Sequence, residues 1–338
     1  MAYLDKEFSD FYDEIRIKEE SADLRVKRDL LKSDIEKYLP DELKNIGIDV
    51  NKSDFEFINQ GSYSIGTTIK NPYGGVDLDY AVIILINIAD NDDTRKIKKA
   101  VKNSLSHVSA RTVDIKEPCV TVSYYEGEEE KIHIDFPIYA EDNSVKYLAR
   151  GKEYSDDYKW ETADPKGLNS YFKEMLKGQE QLRRIIRFIK KWKQEKYKNI
   201  TNKNAIPPSV ALTILACNNY EYDEHDIVSL YKTLKLIKDQ FTVIKDSDDN
   251  ITYINLSCNL PVTPYSDVLY KMRNSDSHLI SFYNKMCTAI SNIETAINLE
   301  DGHEAGQYMQ KVFGSDFEIP EKVSKSSYTQ YHRESSFG

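Results

Sequence analysis

One run of the chain, VDLDYAVIILIN over residues 76–87, limits what the protein can fold into. The run starts with polar residues and then becomes continuously apolar. A short apolar run without alternation is typical of a strand that is buried on both faces, in the middle of a sheet. The polar start, which contains Asp77 and Asp79, is therefore expected where the sheet meets an opening.

The segments around this run predict a mixed sheet with helices. FEFIN (55–59) alternates like a strand, and the basic segment 93–105 has the pattern of a helix. CVTVSYY (119–125) and KIHIDFPIYA (131–140) flank the acidic turn EGEEE, and this arrangement predicts a β-hairpin.

The N-terminal segment, residues 3–38, is predicted to be one long helix that ends before Pro40. Its apolar residues fall into a strong stripe and a weaker continuation at helical spacing. The strong stripe is Leu4, Phe8, Phe11, Tyr12 and Ile15, and the weaker one is Val26, Leu30 and Ile35.

After Asp164, which is expected to cap the next helix, the pattern becomes mostly helical. GQEQLRRIIRFIKKWKQEKYK has helical spacing, and Pro207-Pro208 opens another helix, SVALTILACNNY. Further helices are predicted near 225–240, 265–275, 277–298 and 302–313. The fold class is thus α+β. The expected division is a core at 1–160 that includes the N-terminal helix, a helical lobe at 161–320 and a flexible tail at 321–338.

The overall charge restricts the partners. The 338-residue chain carries a formal net charge of −10. Tight binding along long nucleic acid depends on Lys and Arg displacing counterions, so this class of partner is not expected. The acidic N-terminus does not resemble a signal peptide, and the longest apolar run, Ala81–Ile86, is too short to span a bilayer. A cytoplasmic protein without membrane partners is expected.

Asp77 and Asp79 are candidate metal ligands. Residues i and i+2 of a strand point to the same face, about 6.5–7 Å apart. Two carboxylates placed so can converge on Mg²⁺, although an isolated D-x-D also fits a solvated strand end. Asp135 adds a third acid, since alternation in KIHIDFPIYA puts it opposite the apolar face. If the two strands are neighbours, the three acids form a two-metal site. His133 shares the face of Asp135, but a lone histidine is more often structural.

Gly61 and Ser62 lie in a turn rich in small residues, QGSYSIGTTI. Glycine lets backbone N–H groups approach a ligand closely, and serine adds a hydroxyl, so such a turn can hold phosphates. It matches neither of the common glycine-rich phosphate-binding motifs, and by itself it also fits an ordinary turn.

Taken together, these motifs resemble the polymerase-β-like nucleotidyltransferases. The order is G-S, then D-x-D entering an apolar strand, then a single D on a later strand. QGSYSIGTTI is similar to the form in the cGAS/DncV-like nucleotidyltransferases (CD-NTases), which are related to oligoadenylate synthases. The resemblance implies a nucleotidyltransferase core, a C-terminal helical bundle and an active site in the cleft between them. Gly61 and Ser62 would bind the donor's phosphates. Asp77, Asp79 and Asp135 would be catalytic and hold two Mg²⁺ ions, with Mn²⁺ as a substitute.

RRIIRFIKKWKQEK followed by IPPSVALTILA resembles the helical lobe of the same family. There, a K-x-W helix and the start of the next helix both reach the nucleotide phosphates, at positions that correspond to Lys190 and Ser209. Lys190 also follows Arg183 and Arg187 along one helical face. The alternative is a solvated basic helix face and a capping serine.

The resemblance implies an Mg²⁺-dependent synthase that joins NTPs, ATP among them, into a cyclic di- or trinucleotide. This second messenger would activate an effector in CBASS antiphage defence. Two alternatives stay open: a template-independent transferase acting on RNA, a small molecule or a protein, and a catalytically degenerate nucleotide-binding module. Gly338, at the end of a Ser-rich tail, matches the residue through which ubiquitin-like machinery conjugates synthases of related systems.

Overall fold

Strand β2 (Val76–Leu85) lies inside a mixed sheet and has neighbours on both sides. On one side it pairs antiparallel with β1, and on the other it runs parallel first to β5 and then to β6. Ala81, Val82, Ile83 and Ile84 are all buried, which confirms the strand buried on both faces. The computed structural model describes residues 2–17, 22–71, 76–108, 111–127 and 129–322.

The sheet has the order β3-β4-β5-β2-β6-β7-β8, with β1 beside β2. Its other strands are β1 (Phe55–Gln60), β3 (Thr112–Ile115), β4 (Val120–Glu126), β5 (Glu129–Phe136), β6 (Ile138–Asp142), β7 (Val145–Arg150) and β8 (Lys159–Ala163). The predicted hairpin is confirmed as β4 paired with β5. The second predicted strand divides at Pro137, which lacks the N–H that a continuous ladder needs.

In the described part of the chain the helices border two hydrophobic cores, and a third, small cluster on the sheet contains Ala81, Ile83 and Tyr139. The helices are α1 (Asp5–Ile15), α2 (Ala22–Lys44), α3 (Gly61–Ser64), α4 (Thr94–Leu105), α5 (Pro165–Met175), α6 (Glu180–Tyr197), α7 (Ser209–Asn219), α8 (Asp226–Asp239), α9 (Asp276–Asn298) and α10 (Gly302–Phe313). One core lies between the sheet, α2 and α4. The other joins the helices of the second half with α1. The predicted α+β class, with a mixed sheet and a helical part, is confirmed.

The prediction of one helix over 3–38 is wrong. Helix α1 ends at Ile15, and Arg16 forms a β-bridge with Ile69. Helix α2 then continues through Pro40 to Lys44. The reason is burial: a stripe at i, i+4 spacing packs against the sheet and continues beyond the proline, which offsets the lost hydrogen bond. The stripe is Leu31, Ile35, Leu39 and Leu43.

The predicted stripes of the two N-terminal helices differ in outcome. Phe8, Phe11 and Ile15 are buried, as expected. Val26 and Leu30 are each 56% exposed, so their assignment to a buried stripe is wrong. Leu24 and Leu31 are the residues that α2 buries nearby, which rotates its apolar face away from the predicted one.

In the second half, segment 265–275 is not an α-helix. It consists of turns and a short 3₁₀ segment, because Asp267 accepts the backbone N–H groups of Cys258 and Leu269 and so competes with helical bonding. A two-stranded sheet, β9 (Thr242–Lys245) and β10 (Ile251–Asn255), also interrupts the helices. No helix in the described ranges is long and apolar enough to cross a membrane. Gly338 and most of the predicted tail at 321–338 lie outside the described residues.

Candidate active site

The pairing of β2 with β5 brings two of the predicted carboxylates side by side. In this parallel register Asp79 is opposite Asp135, and Asp77 is opposite His133. Asp77 and Asp79 share one face of β2, while Leu78 between them is buried in the sheet core. The condition set for a three-acid site, that the two strands are neighbours, is therefore met.

Asp79 lies where a negative charge is costly. Burial raises the pKa of its carboxyl to about 7, and the neighbouring carboxylates of Asp135 and Asp77 act in the same direction. The nearby cations His133 and Lys190 offset only part of this effect. In the absence of a further positive charge, Asp79 thus retains a proton much more readily than an exposed aspartate.

Asp135 has direct partners and behaves differently. The hydroxyl of Thr121 donates to its Oδ1 over 2.5 Å, and Nε2 of His133 lies 2.9 Å from the same oxygen. Burial acts to raise the pKa of Asp135, but the hydrogen bonds from His133 and Thr121 outweigh it and lower the pKa. Asp135 therefore stays ionised more readily than Asp79.

Gly61 is in direct contact with this cluster. Its φ of +67° lies in the left-handed region, which glycine adopts without steric cost. A Cβ at this position would lie 2.0 Å from Oδ2 of Asp79. No other residue type fits here without moving the carboxylate, so the turn and the acid form one unit.

Other contacts fix the remainder of the turn. Ser62 and Thr68 place their hydroxyl oxygens 3.1 Å apart, which closes the turn on itself. The hydroxyl of Ser64 donates to Asn169 on α5, and Asn169 donates to the carbonyl of Asn59. The turn is thus attached to both halves of the chain. Asp164, whose Oδ1 accepts from the N–H of Gly167, caps α5 as predicted.

Lys190 reaches this turn from α6, but its amine is already engaged. Its Nζ donates to the carbonyl oxygen of Thr67 over 3.1 Å and to the hydroxyl of Thr67 over 3.0 Å. The residue is only 5% exposed. Burial, together with the cations of Lys193 and Arg187, lowers its pKa to about 7. Arg187 donates beside it, to the carbonyl of Thr68.

Ser209 is the first residue of α7, and it contacts a different lysine of α6 from Lys190. Its hydroxyl oxygen accepts from Nζ of Lys193 over 2.6 Å. Burial lowers the pKa of Lys193 to about 8. The structure thus brings Gly61 together with Asp79, and Lys190 together with the turn. Ser209 contacts Lys193, which is not among the predicted site residues.

The three carboxylates fit a divalent cation that arrives with a ligand of its own. Within the described ranges, no three His, Cys, Asp or Glu side chains already form a metal-binding group. Mg²⁺ commonly takes one or two protein carboxylates and completes its shell with water and substrate phosphates. A cation beside Asp79 would also relieve the repulsion from Asp77 and Asp135.

Three further side chains belong to this site, and each has a weaker signal in the sequence. A lone histidine such as His133 is more often structural, yet His133 contacts Asp135, and strand alternation places both on one face. Thr121 lies directly opposite Asp135 in the hairpin register, so pairing β4 with β5 would have identified it. Lys193 follows Lys190 at i+3, which keeps it on the same side of α6.

A cavity of about 820 Å³ opens beside the turn. Its walls include Tyr63, Ser64, Lys173 and Arg187, but none of the three carboxylates lines it. The chemistry of the acids is therefore expected outside this cavity.

Comparisons with known proteins agree with this geometry. Residues 55–139, which contain the turn and all three carboxylates, match the family model of the cyclic GMP-AMP synthase DncV-like nucleotidyltransferase domain. The resemblance to the cGAS/DncV-like nucleotidyltransferases is thereby confirmed, and the chain has a nucleotidyltransferase domain of this kind.

Solved structures extend the similarity over almost the whole fold. The Vibrio cholerae DncV cyclic AMP-GMP synthase with the linear intermediate 5′ pppA(3′,5′)pG is 15% identical, with a TM-score of 0.70 over 92% of this chain and 96% of that one. The same enzyme with nonhydrolyzable GTP is 16% identical, with a TM-score of 0.69 over 94% of this chain and 97% of that one. At this identity the match establishes a shared fold.

Proposed function

We propose that this chain, which has the DncV fold, is an Mg²⁺-dependent synthase that joins NTPs into a cyclic di- or trinucleotide and releases pyrophosphate. The observation that carries the proposal is the contact of Gly61 with Asp79, beside Asp135. A phosphate-binding turn and metal-binding acids must touch if one molecule is to bridge them. The DncV structures bound to GTP and to a linear intermediate support the same substrate class.

The proposed roles follow from the positions of the residues. Asp77, Asp79 and Asp135 would hold two divalent cations, and the turn at Gly61 and Ser62 would bind the donor's phosphates. When bound, the cations would stabilise charge on the reacting phosphate and on the leaving pyrophosphate. The low pKa of Asp135 and the raised pKa of Asp79 suit an acid that starts ionised and one that is ionised by the arriving cation.

In the proposed reaction, a hydroxyl oxygen of the acceptor nucleotide attacks the α-phosphorus of the donor. A new P–O bond forms while the bond from the α-phosphorus to the bridging oxygen of the β-phosphate breaks, and pyrophosphate leaves with that oxygen. The carboxylate of Asp135 accepts the hydroxyl proton as the new bond forms. A second round within the linear product, with the same exchange of bonds, closes the ring.

We further propose a biological role in antiphage defence of the CBASS type, in the cytoplasm, with the cyclic product activating an effector. The resemblance to CD-NTases supports this role. Conjugation of the chain through Gly338 by ubiquitin-like machinery belongs to the same proposal. Deleting Gly338 should abolish conjugation and leave the activity of the purified protein intact, and a loss of that activity would contradict the proposed role of the tail.

Incubation of the purified chain with labelled NTPs and Mg²⁺ tests the catalytic proposal. Small products that resist both nuclease and phosphatase are expected, and mass spectrometry with each NTP withheld in turn identifies the bases. Label transferred to added RNA, to a small molecule or to protein would favour the transferase alternative. Nucleotide binding without any product would favour a degenerate module.

A further inference from the structure

Lys190 and Lys193 lie one turn apart on α6, yet their ammonium groups have different surroundings. Lys190 is buried and directs two hydrogen bonds at Thr67, one to its carbonyl and one to its hydroxyl. Lys193 is less buried and contacts the hydroxyl of Ser209, which lies exposed at the start of α7. The first amine is enclosed by protein, whereas the second borders solvent.

The charge of Lys193 has no counter-ion in the described part of the chain. No carboxylate there lies within ion-pair distance of its amine, and its only described partner is the neutral oxygen of Ser209. Its neighbour Lys191, in contrast, is paired with Asp316. Even partial burial of an ammonium group without a counter-ion is costly, and it lowers the pKa of Lys193. An anionic ligand would remove this cost.

The enclosed amine of Lys190 has a different effect. Together with Arg187, it holds the carbonyls of Thr67 and Thr68 and so fixes the end of the turn that begins at Gly61. Breaking these bonds to reach a phosphate would leave the oxygens of Thr67 without their donor in a buried place. Lys190 is therefore suited to shape the turn.

We infer that Lys193, with Ser209, is the cation of α6 that contacts the terminal phosphates of the donor NTP, and that Lys190 is a positioning residue for the turn. This inference rests on the proposed function. It reassigns the phosphate contact within α6, from the lysine of the K-x-W motif to the lysine that follows the tryptophan.

Binding of a nonhydrolysable ATP analogue and of AMP, each with Mg²⁺, tests the inference on the full chain. Lys193→Ala and Lys193→Gln should weaken binding of the analogue about 10-fold or more, as expected for a lost charge-assisted contact, and leave AMP binding unchanged. Amide exchange at residues 61–68 should remain as in the parent. Lys198→Ala, at the exposed end of α6, is the matched control and should bind both ligands like the parent.

Lys190→Met, in contrast to the Lys193 variants, should change the turn itself, and amide exchange at residues 61–68 should become faster. Two results would overturn the inference: unchanged affinity of both Lys193 variants for the analogue, or a loss of affinity in Lys190→Met at unchanged exchange in the turn. If the parent itself binds no ATP analogue, the proposed function fails, and this inference fails with it.

Discussion

The strand side and the helix side of the turn at residues 61–68 carry opposite charges, and on each side burial makes one of these charges costly, that of Asp79 and that of Lys190. On the strand side, Asp79 is surrounded by further carboxylates, and its pKa is raised to about 7. On the helix side, Arg187, Lys190 and Lys193 crowd together, and burial with mutual repulsion lowers the pKa of Lys190 to about 7. Each side is destabilised by its own charge.

This difference indicates what kind of molecule belongs between the two sides. A bare cation would satisfy the acids only, and a bare phosphate would satisfy the lysines only. A nucleoside triphosphate with its divalent cations presents both charges at once. The turn at Gly61 touches Asp79 at one end and Lys190 at the other, through Thr67, so one ligand can reach both sides.

The largest effect is expected from the strand side. Asp77→Asn and Asp79→Asn should each lower the rate of product formation by at least about 10³-fold, because a lost metal ligand removes several kcal/mol of transition-state stabilisation. Rates are measured with saturating NTP and Mg²⁺, and Asp114→Asn on β3 is the control. Full activity of either variant would contradict the assignment of these acids.

Gly61→Ala tests the junction of the two sides. The added Cβ would lie 2.0 Å from Oδ2 of Asp79, so the carboxylate or the turn must move. A displacement of about 1 Å at a reacting centre can cost about 10²-fold, and kcat/KM should fall by about this factor.

Gly47→Ala is the matched control for Gly61→Ala. Gly47 also has a left-handed φ, of +87°, but no heavy atom lies within 4 Å of its added Cβ. It shares the backbone strain without the contact, and its activity should stay near that of the parent. Equal losses of kcat/KM in both variants would show that backbone strain, and not the contact with Asp79, causes the effect.

A smaller effect is expected at Thr121. Thr121→Val removes the hydroxyl that donates to Asp135, and the loss of one hydrogen bond to a charged group should lower kcat by about 10-fold. Thr112→Val on the edge strand β3 is the control. If kcat were unchanged in Thr121→Val, Asp135 would not need this donor to act.

The smallest effect concerns stability. The pKa of Asp79 in the folded chain, about 7, lies above its ordinary value of 3.8. The stability that the protonated form of Asp79 contributes is therefore fully present below about pH 4 and is lost as the pH rises through about 7. In metal-free buffer Asp79→Asn should therefore raise Tm at pH 8 by about 1–2 °C, for about 1 kcal/mol, and by less at pH 5. Differential scanning calorimetry at both pH values checks this. A lower Tm of the variant at pH 8 would show that the charge of Asp79 is compensated.

The strand side could largely be predicted from the sequence, since a strand alternates with a fixed period. That period put Asp77 with Asp79, and Asp135 with His133, once the strands were recognised. The register between the strands could not be predicted from the sequence, because β2 and β5 are far apart in the chain and only the folded structure shows how they pair.

The helix side was harder to predict because several basic residues of α6 share its inner side. Spacing alone does not say which amine the neighbouring turn has already bound, and Thr67 decides this for Lys190. The predicted end of the N-terminal helix before Pro40 was wrong for a similar reason. The sheet buries Leu39 and Leu43, and this burial carries the helix past Pro40, where local propensity would end it.

Titration of the protein with Mn²⁺, followed by electron paramagnetic resonance, tests most directly whether one ligand joins the two sides. Mn²⁺ should bind weakly to the protein alone and much more tightly once a nonhydrolysable ATP analogue is present. Asp79→Asn should remove the tight binding, and Lys193→Ala should weaken it. Tight binding of Mn²⁺ without nucleotide, or tight binding with nucleotide that neither variant changes, would contradict the account.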